Sequence, residues 1–341
     1  MDFGLSVQIR DINGDGFPDI YLCNDFHTPD RAWLNNGHGR FRAVPRVAIR
    51  NMSYASMGVD FADIDRDGWV DFVTVEMLSR EHARRLRQLS SMPAAGRRIG
   101  EIENREEVPR NALYWNRGDG TYAEIAWFSG LAASDWSWSP IFLDVDLDGF
   151  EDLLVSAGSL YDVMDQDAAM ASRPDARTQL ALYPRLDNRN VAFRNRGDLT
   201  FEDVSQAWGF DSRQVSHGMA LADLDDDGDL DMVMNCANGT PLLYRNDSSA
   251  PRVAVRLKGL PPNTQGIGAQ IKLLGGAVPM QSQEIICGGR YLSGDQATRV
   301  FAAGSHDQDM QLEVTWRSGR RTVVSGVKGN RLYEIDEPPA K

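Results

Sequence analysis

Four nine-residue segments of the sequence combine acidic side chains and a glycine at one spacing. They read DINGDGFPD (11–19), DIDRDGWVD (63–71), DVDLDGFED (144–152) and DLDDDGDLD (223–231), which fit the template D-x-[DN]-x-D-G-x-x-D. Carboxylates this close together repel one another, so they need a counter-charge. Because every available ligand atom is a hard oxygen, the pattern favours Ca²⁺ over softer metals.

The template also explains how one ion could be surrounded. A glycine at position 6 permits the positive φ of a sharp turn, which lets side chains 1, 3, 5 and 9 and the carbonyl of position 7 converge. The sequence therefore predicts about four calcium sites. Their candidate ligands are Asp11, Asn13, Asp15, Phe17, Asp19, Asp63, Asp65, Asp67, Trp69, Asp71, Asp144, Asp146, Asp148, Phe150, Asp152, Asp223, Asp225, Asp227, Asp229 and Asp231.

These loops differ from EF-hands, which require a bidentate glutamate at position 12. That position holds Leu22, Thr74, Val155 and Met234. Each loop is followed by a short apolar run of β type, namely IYLCN, FVTVE, LLVSA and MVMNC. We therefore expect each calcium loop to lie within a β-hairpin.

A longer repeat surrounds each loop. The β-type run is followed by an aromatic and asparagine-rich segment ending in a glycine turn: AWLNNGHGRF (32–41), LYWNRGDGTY (113–122) and AFRNRGDLTF (192–201), with a truncated LLYRND (242–247) after the fourth loop. The first two loops are about 50 residues apart, which suits a four-stranded propeller blade. The later spacings are longer and predict insertions near 77–110, whose first half has helical composition, and 158–190.

The pattern changes after residue 249. Seven short β-type runs separated by turn residues follow, and they predict a β-sandwich-like domain. The predicted organisation is a propeller at 1–248 and a second β domain at 249–337.

Composition and motifs limit the function. The net charge of −13 argues against a nucleic-acid partner. No apolar run is long enough to cross a membrane, and no familiar catalytic motif is present. Calcium loops of moderate affinity are filled at millimolar extracellular calcium and empty in the cytosol, so we expect an extracellular, cell-surface or periplasmic protein.

The four acidic loops, together with LYWNRGDGTY and AFRNRGDLTF, resemble the FG-GAP/VCBS repeats of integrin-α-type β-propellers. The C-terminal GIGAQIKLL, GGRYLSGDQATRVFAAGS and LEVTWRSGRRTVVSGV are similar to the ASPIC/UnbV domain, as found in the cartilage acidic protein family. Where that domain usually reads HFGLG, this chain has VFAAGS.

The resemblance implies a secreted, calcium-binding propeller of about seven blades, without an established reaction. Only about four blades are visible in the sequence, so we expect either a four-bladed ring or a truncated seven-bladed one whose true N-terminus and signal peptide precede Met1. The first hypothesis for function is an adhesion or recognition module for a protein or glycan. The alternative is an enzyme, polysaccharide-active or of secondary metabolism, with its site in the propeller channel.

Overall fold

A computed structural model of the chain describes residues 3–25, 28–89, 105–171, 180–237, 239–305 and 308–339. Most regular structure in these ranges is β-strand, so the all-β class predicted from the sequence is confirmed. The middle parts of the two predicted insertions, 90–104 and 172–179, lie outside the described residues.

Four antiparallel sheets follow one another along the first part of the chain, and each contains one acidic loop between its first and second strands. Blade 1 consists of β1 (Gly4–Arg10), β2 (Asp19–Asn24), β3 (Arg31–Asn35) and β4 (Phe41–Ala43). A short strand, β5 (Asn51–Ser53), leads out of it. Blade 2 consists of β6 (Gly58–Ala62), β7 (Asp71–Val75), β9 (Ala112–Asn116) and β10 (Tyr122–Glu124), and β8 (Glu106–Val108) pairs in parallel with β5.

The third blade repeats this plan and the fourth is shorter. Blade 3 consists of β11 (Ser137–Leu143), β12 (Asp152–Ala157), β13 (Val191–Asn195) and β14 (Phe201–Asp203). Blade 4 has three strands, β15 (Ser216–Ala222), β16 (Asp231–Cys236) and β17 (Leu242–Tyr244).

The blades stack face to face in a propeller-like arrangement. The first strands β1, β6, β11 and β15 lie beside one another in that order. The second strands β7 and β12 are buried along their whole length because a neighbouring blade covers each face. This double burial explains why their sequences are continuous apolar runs rather than alternating ones.

The C-terminal part forms two further sheets that face each other. One contains β18 (Arg252–Lys258), β21 (Thr298–Ala302) and β24 (Arg331–Asp336). The other contains β19 (Gln270–Leu274), β20 (Met280–Glu284), β22 (Met310–Thr315) and β23 (Arg321–Val327). Val253, Ile271, Phe301 and Trp316 lie in the apolar core between them. The predicted sandwich-like arrangement of seven strands is therefore present.

The two parts of the chain are in extensive contact. Ala254 and Val300 of the C-terminal sheet belong to the same buried cluster as Met219 and Leu221 of β15. This cluster contains residues from both sides of position 249, so the packing shows no gap there. The division into two domains at that position therefore stays a prediction.

A loop of the C-terminal part, residues 286–297, lies against the first strands of all four blades. The side-chain amide of Gln8 in β1 donates to the carbonyl of Gly289 at 3.0 Å. Arg290 pairs with Asp60 in β6, and Tyr291 packs against Trp138 in β11 with ring centroids 5.4 Å apart. In β15 the carbonyl of Met219 accepts a hydrogen bond from the hydroxyl of Ser293. The loop thus links the inner strands of all four blades.

Helices occur only in short connections of the described residues. They are α1 (His82–Leu89), α2 (Ala126–Ser129), α3 (Gln166–Ala171) and a 3₁₀ turn at Leu180–Leu182. The helix expected in the first insertion is present, and Arg87 pairs with Asp165 of the second insertion at 2.9 Å. The longest of these helices has eight residues, and no helix in the described ranges is long and apolar enough to cross a membrane.

Candidate metal centres

The first aspartate of each template organises the backbone of its loop. In the third loop, Asp144 accepts hydrogen bonds from the backbone N–H groups of Asp148 at 3.0 Å and Gly149 at 2.9 Å. Gly149 has φ of +102°, the positive value that the template predicts for its glycine. The bond from the N–H of the position-6 glycine recurs in the other loops at Asp11, Asp63 and Asp223.

The ninth aspartate fastens the loop to the third strand of its own blade. Asp152 accepts from the N–H of Val145 and from the N–H of Asn195, both at 2.9 Å. Equivalent pairs of bonds are made by Asp19, Asp71 and Asp231. The asparagine that recurs at the end of each third strand is therefore part of the loop structure.

Positions 1, 3 and 9 come together in three of the four loops. One oxygen from each member lies within 4.8 Å of the others in the triads Asp63–Asp65–Asp71, Asp144–Asp146–Asp152 and Asp223–Asp225–Asp231. This grouping is what a cation site requires of its ligands. It brings together nine of the residues predicted from the sequence.

The carboxylate at position 5 makes a hydrogen bond within its own loop. It accepts the backbone N–H of position 7, as Asp67 does from Trp69 at 2.8 Å and Asp148 does from Phe150 at 3.0 Å. The position-5 residues are not members of the triads. Asp15 and Asp227 make the same local bond, so a direct ligand role for position 5 stays a prediction.

Position 7 was predicted to offer a carbonyl, and its side chain has a role that the sequence reasoning missed. The rings of Phe17, Trp69 and Phe150 lie against the glycine of the turn after the third strand. A β-carbon at Gly118 would stand 2.9 Å from the Trp69 ring. A signal for this contact is present in the sequence. The first three repeats combine an aromatic residue at position 7 with a glycine in the later turn, whereas the fourth repeat has Asp229 and Ser248 at these two places. The carbonyls of these four residues as ligands stay a prediction.

The first loop differs because Asn13 stands at position 3. The amide of Asn13 donates to Asp15 at 3.0 Å, and Asp11 accepts the N–H groups of Gly14 and Gly16 at 2.8 and 2.7 Å. The first loop therefore has one carboxylate fewer at the converging positions than the other three loops.

Burial makes these carboxylates poor anions without a counter-charge. It raises the pKa of Asp71 to about 9, of Asp63 to about 7 and of Asp19 to about 6. The pKa of Asp144 and of Asp152 is raised for the same reason. A nearby cation would favour the charged form of each group and oppose these shifts.

Unpartnered oxygens test whether a cation fits. Asp63 is 3% exposed, and its Oδ1 has no hydrogen-bond donor among the described residues. The Oδ1 of Asp146 is in the same situation. Buried oxygens of this kind need a partner, and Ca²⁺ takes carboxylate oxygens of this type. The residues of loops 2 and 3 therefore fit the ion that the sequence predicts.

Asparagine also links neighbouring blades. The amide of Asn195 in blade 3 donates to the carbonyl of Ile64 in the second loop at 2.9 Å. In the same way Asn246 of blade 4 donates to Val145 of the third loop at 3.0 Å. A rigid loop thus holds the adjacent blade as well as its own.

Comparison with known proteins places these repeats. A model of the FG-GAP-like repeat matches residues 11–74, 104–155 and 175–234, and a model of the ASPIC and UnbV domain matches 259–341. The repeat matches alone cover more than half of the chain. The chain belongs to the FG-GAP-like repeat family. The C-terminal sandwich is its ASPIC/UnbV domain, so the resemblance seen in the sequence is confirmed.

Individual relatives are more distant. Human cartilage acidic protein 1 is 41% identical over 68 residues, which are 20% of this chain and only 10% of that protein. An Agrocybe aegerita lectin, described for its recognition of non-reducing terminal N-acetylglucosamine, has 14% identity and covers 94% of this chain and 81% of its own. The V. cholerae biofilm matrix protein Bap1 has 12% identity, with coverage of 95% and 59%. Both structures have a TM-score of 0.33, which is too low to support a functional comparison with this chain.

The combination of FG-GAP-like repeats with an ASPIC/UnbV domain is typical of extracellular recognition or adhesion modules. In this chain, three aspartate clusters have a geometry that could hold metal ions.

Proposed function

We propose that this FG-GAP-like protein is an extracellular recognition module whose blades are stiffened by calcium. The observation that carries the proposal is the threefold recurrence of one triad, in which carboxylates at positions 1, 3 and 9 approach within 4.8 Å. In a solvated acidic turn the mutual repulsion of the carboxylates disfavours this geometry. A bound cation would offset the repulsion and explain why the carboxylates converge in three loops.

Calcium is the ion that suits these ligands. It accepts six to eight oxygens in flexible geometry, whereas Mg²⁺ requires a tighter octahedron and retains water. Residues 63, 65, 71, 144, 146, 152, 223, 225 and 231 would supply the carboxylates, and the carbonyl of position 7 would supply a further oxygen. The first loop, with Asn13, would be the weakest of the four sites because it has one charge fewer.

An extracellular location follows from the affinity expected of such sites. Loops of moderate affinity are filled at about millimolar calcium, and binding to the folded state alone stabilises it by mass action. In calcium-poor cytosol each triad would lack this cation, and of the triad carboxylates in the described ranges only Asp146 would keep an arginine partner, Arg194 at 2.6 Å. An extracellular, surface or periplasmic setting therefore suits this chain best.

Recognition of a protein or glycan is the role that we favour over catalysis. The net charge of −13 argues against a nucleic-acid partner. Titratable groups do line a cavity of about 80 Å³ between the blades and the C-terminal part, among them Asp60 of β6, Glu284 of β20 and Arg290 of the 286–297 loop. These groups pair with one another, as in Arg10–Glu284 at 3.4 Å and Arg290–Asp295 at 2.7 Å, and are almost fully buried. The cluster is thus explained as the polar core of the contact between the two parts of the chain.

The proposal is tested by calorimetric titration of metal-free protein with calcium chloride. We expect heat of binding with a stoichiometry between three and four ions per chain. Titration with magnesium chloride should give weaker binding.

A matched pair of variants in the fourth loop identifies the site. Asp225 belongs to a triad, whereas the adjacent Asp226 does not and has φ of +59°. Asp225→Ala should remove one binding event. Asp226→Gly removes the same charge, is compatible with positive φ, and should leave the stoichiometry unchanged. Equal loss in both variants would indicate a diffuse charge effect and contradict the proposal.

A further inference from the structure

Among the described residues, the fourth blade has no counterpart of the outer strand that completes the other three. Blades 1 to 3 have the strand order first to fourth, whereas β17 is the last strand of its sheet. Leu243 in the middle of β17 is 67% exposed. Among the described residues, no backbone hydrogen bond reaches the outer side of β17.

The outer strand of a complete blade begins with an aromatic residue. In blade 2, Tyr122 lies opposite Asn116, and its ring packs against Phe72 with centroids 5.1 Å apart. The amide of Asn116 donates to the hydroxyl of Tyr122 at 3.3 Å. In blade 3, Phe201 is paired with Asn195 in the same register and is buried.

In blade 4 the corresponding place is a pocket of about 330 Å³ between blades 3 and 4. Its lining includes Met232, which follows the ninth aspartate as Phe72 does, and Asn246, which corresponds to Asn116. Leu143 of the preceding blade lines the other wall. The pocket therefore lies where an outer-strand aromatic would be, and its volume falls in the range of ligand sites.

The chain begins the turn toward an outer strand and then leaves. The N–H of Ser248 donates to Asn246 at 3.0 Å, as the N–H of Gly118 does to Asn116 in blade 2. Arg252 then holds the exit path by donating to the carbonyl of Ser248 at 2.8 Å and pairing with Asp227 at 2.9 Å. Residues 248–252 thus do not pair with the outer edge of β17, and no other described residue does so through its backbone.

We propose that the edge of β17 and this pocket together bind an extended segment of a partner protein, with an aromatic side chain in the pocket. The backbone of the segment would add a fourth strand to the blade, the mode known as strand addition. An aromatic residue is expected because both complete blades that face a preceding blade place one there, at Tyr122 and Phe201.

The charge of the rim indicates what should flank the aromatic residue. Asp225, Asp231 and Asp247 surround Arg245, and Asp146 lines the pocket. Asp146 also pairs with Arg194 at 2.6 Å, but each triad carries three carboxylates and Ca²⁺ only two positive charges, so the rim stays acidic in calcium and favours basic residues on either side of the ring. The chain itself contains such a sequence in the outer strand of blade 1, where Phe41 lies between Arg40 and Arg42.

This proposal assigns a protein partner to the recognition function proposed in the previous subsection, and it rests on that function. Asp146, Asp225 and Asp231 belong to the calcium triads, so peptide binding is measured in saturating calcium and calcium binding is measured separately, without peptide. If calcium binds and the peptide does not, only the partner assignment is wrong.

The experiment uses the whole chain in saturating calcium and a synthetic peptide of residues 39–44, GRFRAV. We expect saturable binding by fluorescence anisotropy, at least tenfold weaker for the peptide with Phe41→Ala because the buried ring is lost. A peptide of residues 199–204, LTFEDV, should bind less well than GRFRAV because its flanking acids meet the acidic rim.

Protein variants locate the site. Met232→Trp fills the pocket, and Leu243→Pro removes an N–H from the outer edge; each should weaken binding at least tenfold. Val323→Trp, on an exposed strand of the C-terminal sandwich, is the control and should bind normally. Thermal melts verify that each variant is folded, and the alanine peptide tests the pocket without altering the protein.

Three results would overturn the proposal. They are the absence of binding by any of the peptides, equal binding of the phenylalanine and alanine peptides, and undiminished binding to both Met232→Trp and Leu243→Pro. A dimer in sedimentation that the peptide dissociates would also overturn it, because the edge would then be occupied by a second copy of this chain.

Discussion

Blades 2 and 4 use the same acidic template but complete their sheets differently. Blade 2 has four strands, an aromatic core of Phe61, Phe72 and Tyr114, and the Trp69 ring lying on Gly118. Blade 4 has three strands among the described residues. Asp229 stands where blade 2 has Trp69, and Met232 stands where blade 2 has Phe72.

The difference teaches that the cation loop and the strand packing are separable. The loop of blade 4 retains its triad and the bonds of its first and ninth aspartates. What it loses is the aromatic contact between loop and turn, which is replaced by the pairing of Arg252 with Asp227. Blade 4 thus exchanges an outer strand for attachment to the C-terminal sandwich.

The largest contrast is expected in the core. Phe72 is 1% exposed and stacked on Tyr114 at 4.2 Å, so Phe72→Ala should destabilise the protein by about 3–5 kcal/mol. Met232 occupies the equivalent place but borders an existing pocket. Met232→Ala should cost roughly half as much, because fewer contacts are lost. Urea unfolding of both variants measures this, and equal losses would contradict the comparison.

A pH-dependent effect on stability is expected at the end of the blades opposite the acidic loops, where Asp30 of blade 1 lies. Asp30 accepts hydrogen bonds from Tyr21, Asn24 and Ser56, and Asn111 and Asn190 occupy the same place in blades 2 and 3. Burial raises the pKa of Asp30 to about 7. Between about pH 4 and 7 the folded state therefore holds a proton that the unfolded state has released, and stability falls as pH rises.

Asp30→Asn should remove this dependence. Relative to the original chain, the variant should gain stability as pH rises from 4 to 7, by up to about 4 kcal/mol for a shift of this size. Unfolding of both proteins at pH 4, 5.5 and 7.5 measures the gain. A difference between Asp30→Asn and the original chain that stays constant with pH would refute the explanation.

A smaller contrast is expected at the turns. Gly118 has φ of +71° and faces the Trp69 ring, so Gly118→Ala should cost about 1–3 kcal/mol. Ser248 stands in the equivalent turn without an aromatic residue above it. Ser248→Ala should change the free energy of unfolding by less than about 0.5 kcal/mol. Gly120→Ala, at φ of +79° with no atom within 4 Å of the added β-carbon, separates backbone strain from the aromatic contact, and thermal denaturation of the three variants measures the difference.

A loss somewhat smaller than that of Gly118→Ala is expected at Arg252. Its side chain is 12% exposed, and removing it leaves Asp227 and the buried Asp229 without their cation. Arg252→Ala should destabilise the protein by about 1–2 kcal/mol. Arg252→Lys should restore part of this, since the charge is retained but the two-pronged geometry is not. If the alanine variant is as stable as the original chain, the account of the blade 4 exit fails.

Local patterns made much of the fold predictable. The acidic template, the apolar run after it and the asparagine turn are continuous in sequence, so hairpins such as β1–β2 could be placed without a structure. The same is true of the seven strands of the sandwich. The convergence of positions 1, 3 and 9 could be predicted, whereas the hydrogen bond that Asp148 accepts from the N–H of Phe150 depends on the detailed curl of the loop.

Long-range contacts could not be predicted in this way. Arg290 and Asp60 are 230 residues apart, and neither carries a local signal of the other. The contact of loop 286–297 with four inner strands arises only from the assembled blades. The truncated LLYRND was visible in the sequence, but the pocket beside it follows from the register of blades 2 and 3.

The central claim is that cations hold the triads together, and the most direct measurement is the melting temperature in calcium against chelator. With three or more sites filled at 2 mM calcium, we predict a rise of several degrees over protein in EGTA, because binding stabilises only the folded state. The rise should shrink in Asp225→Ala and persist in Asp226→Gly. An identical melting temperature in calcium and in EGTA would contradict the account.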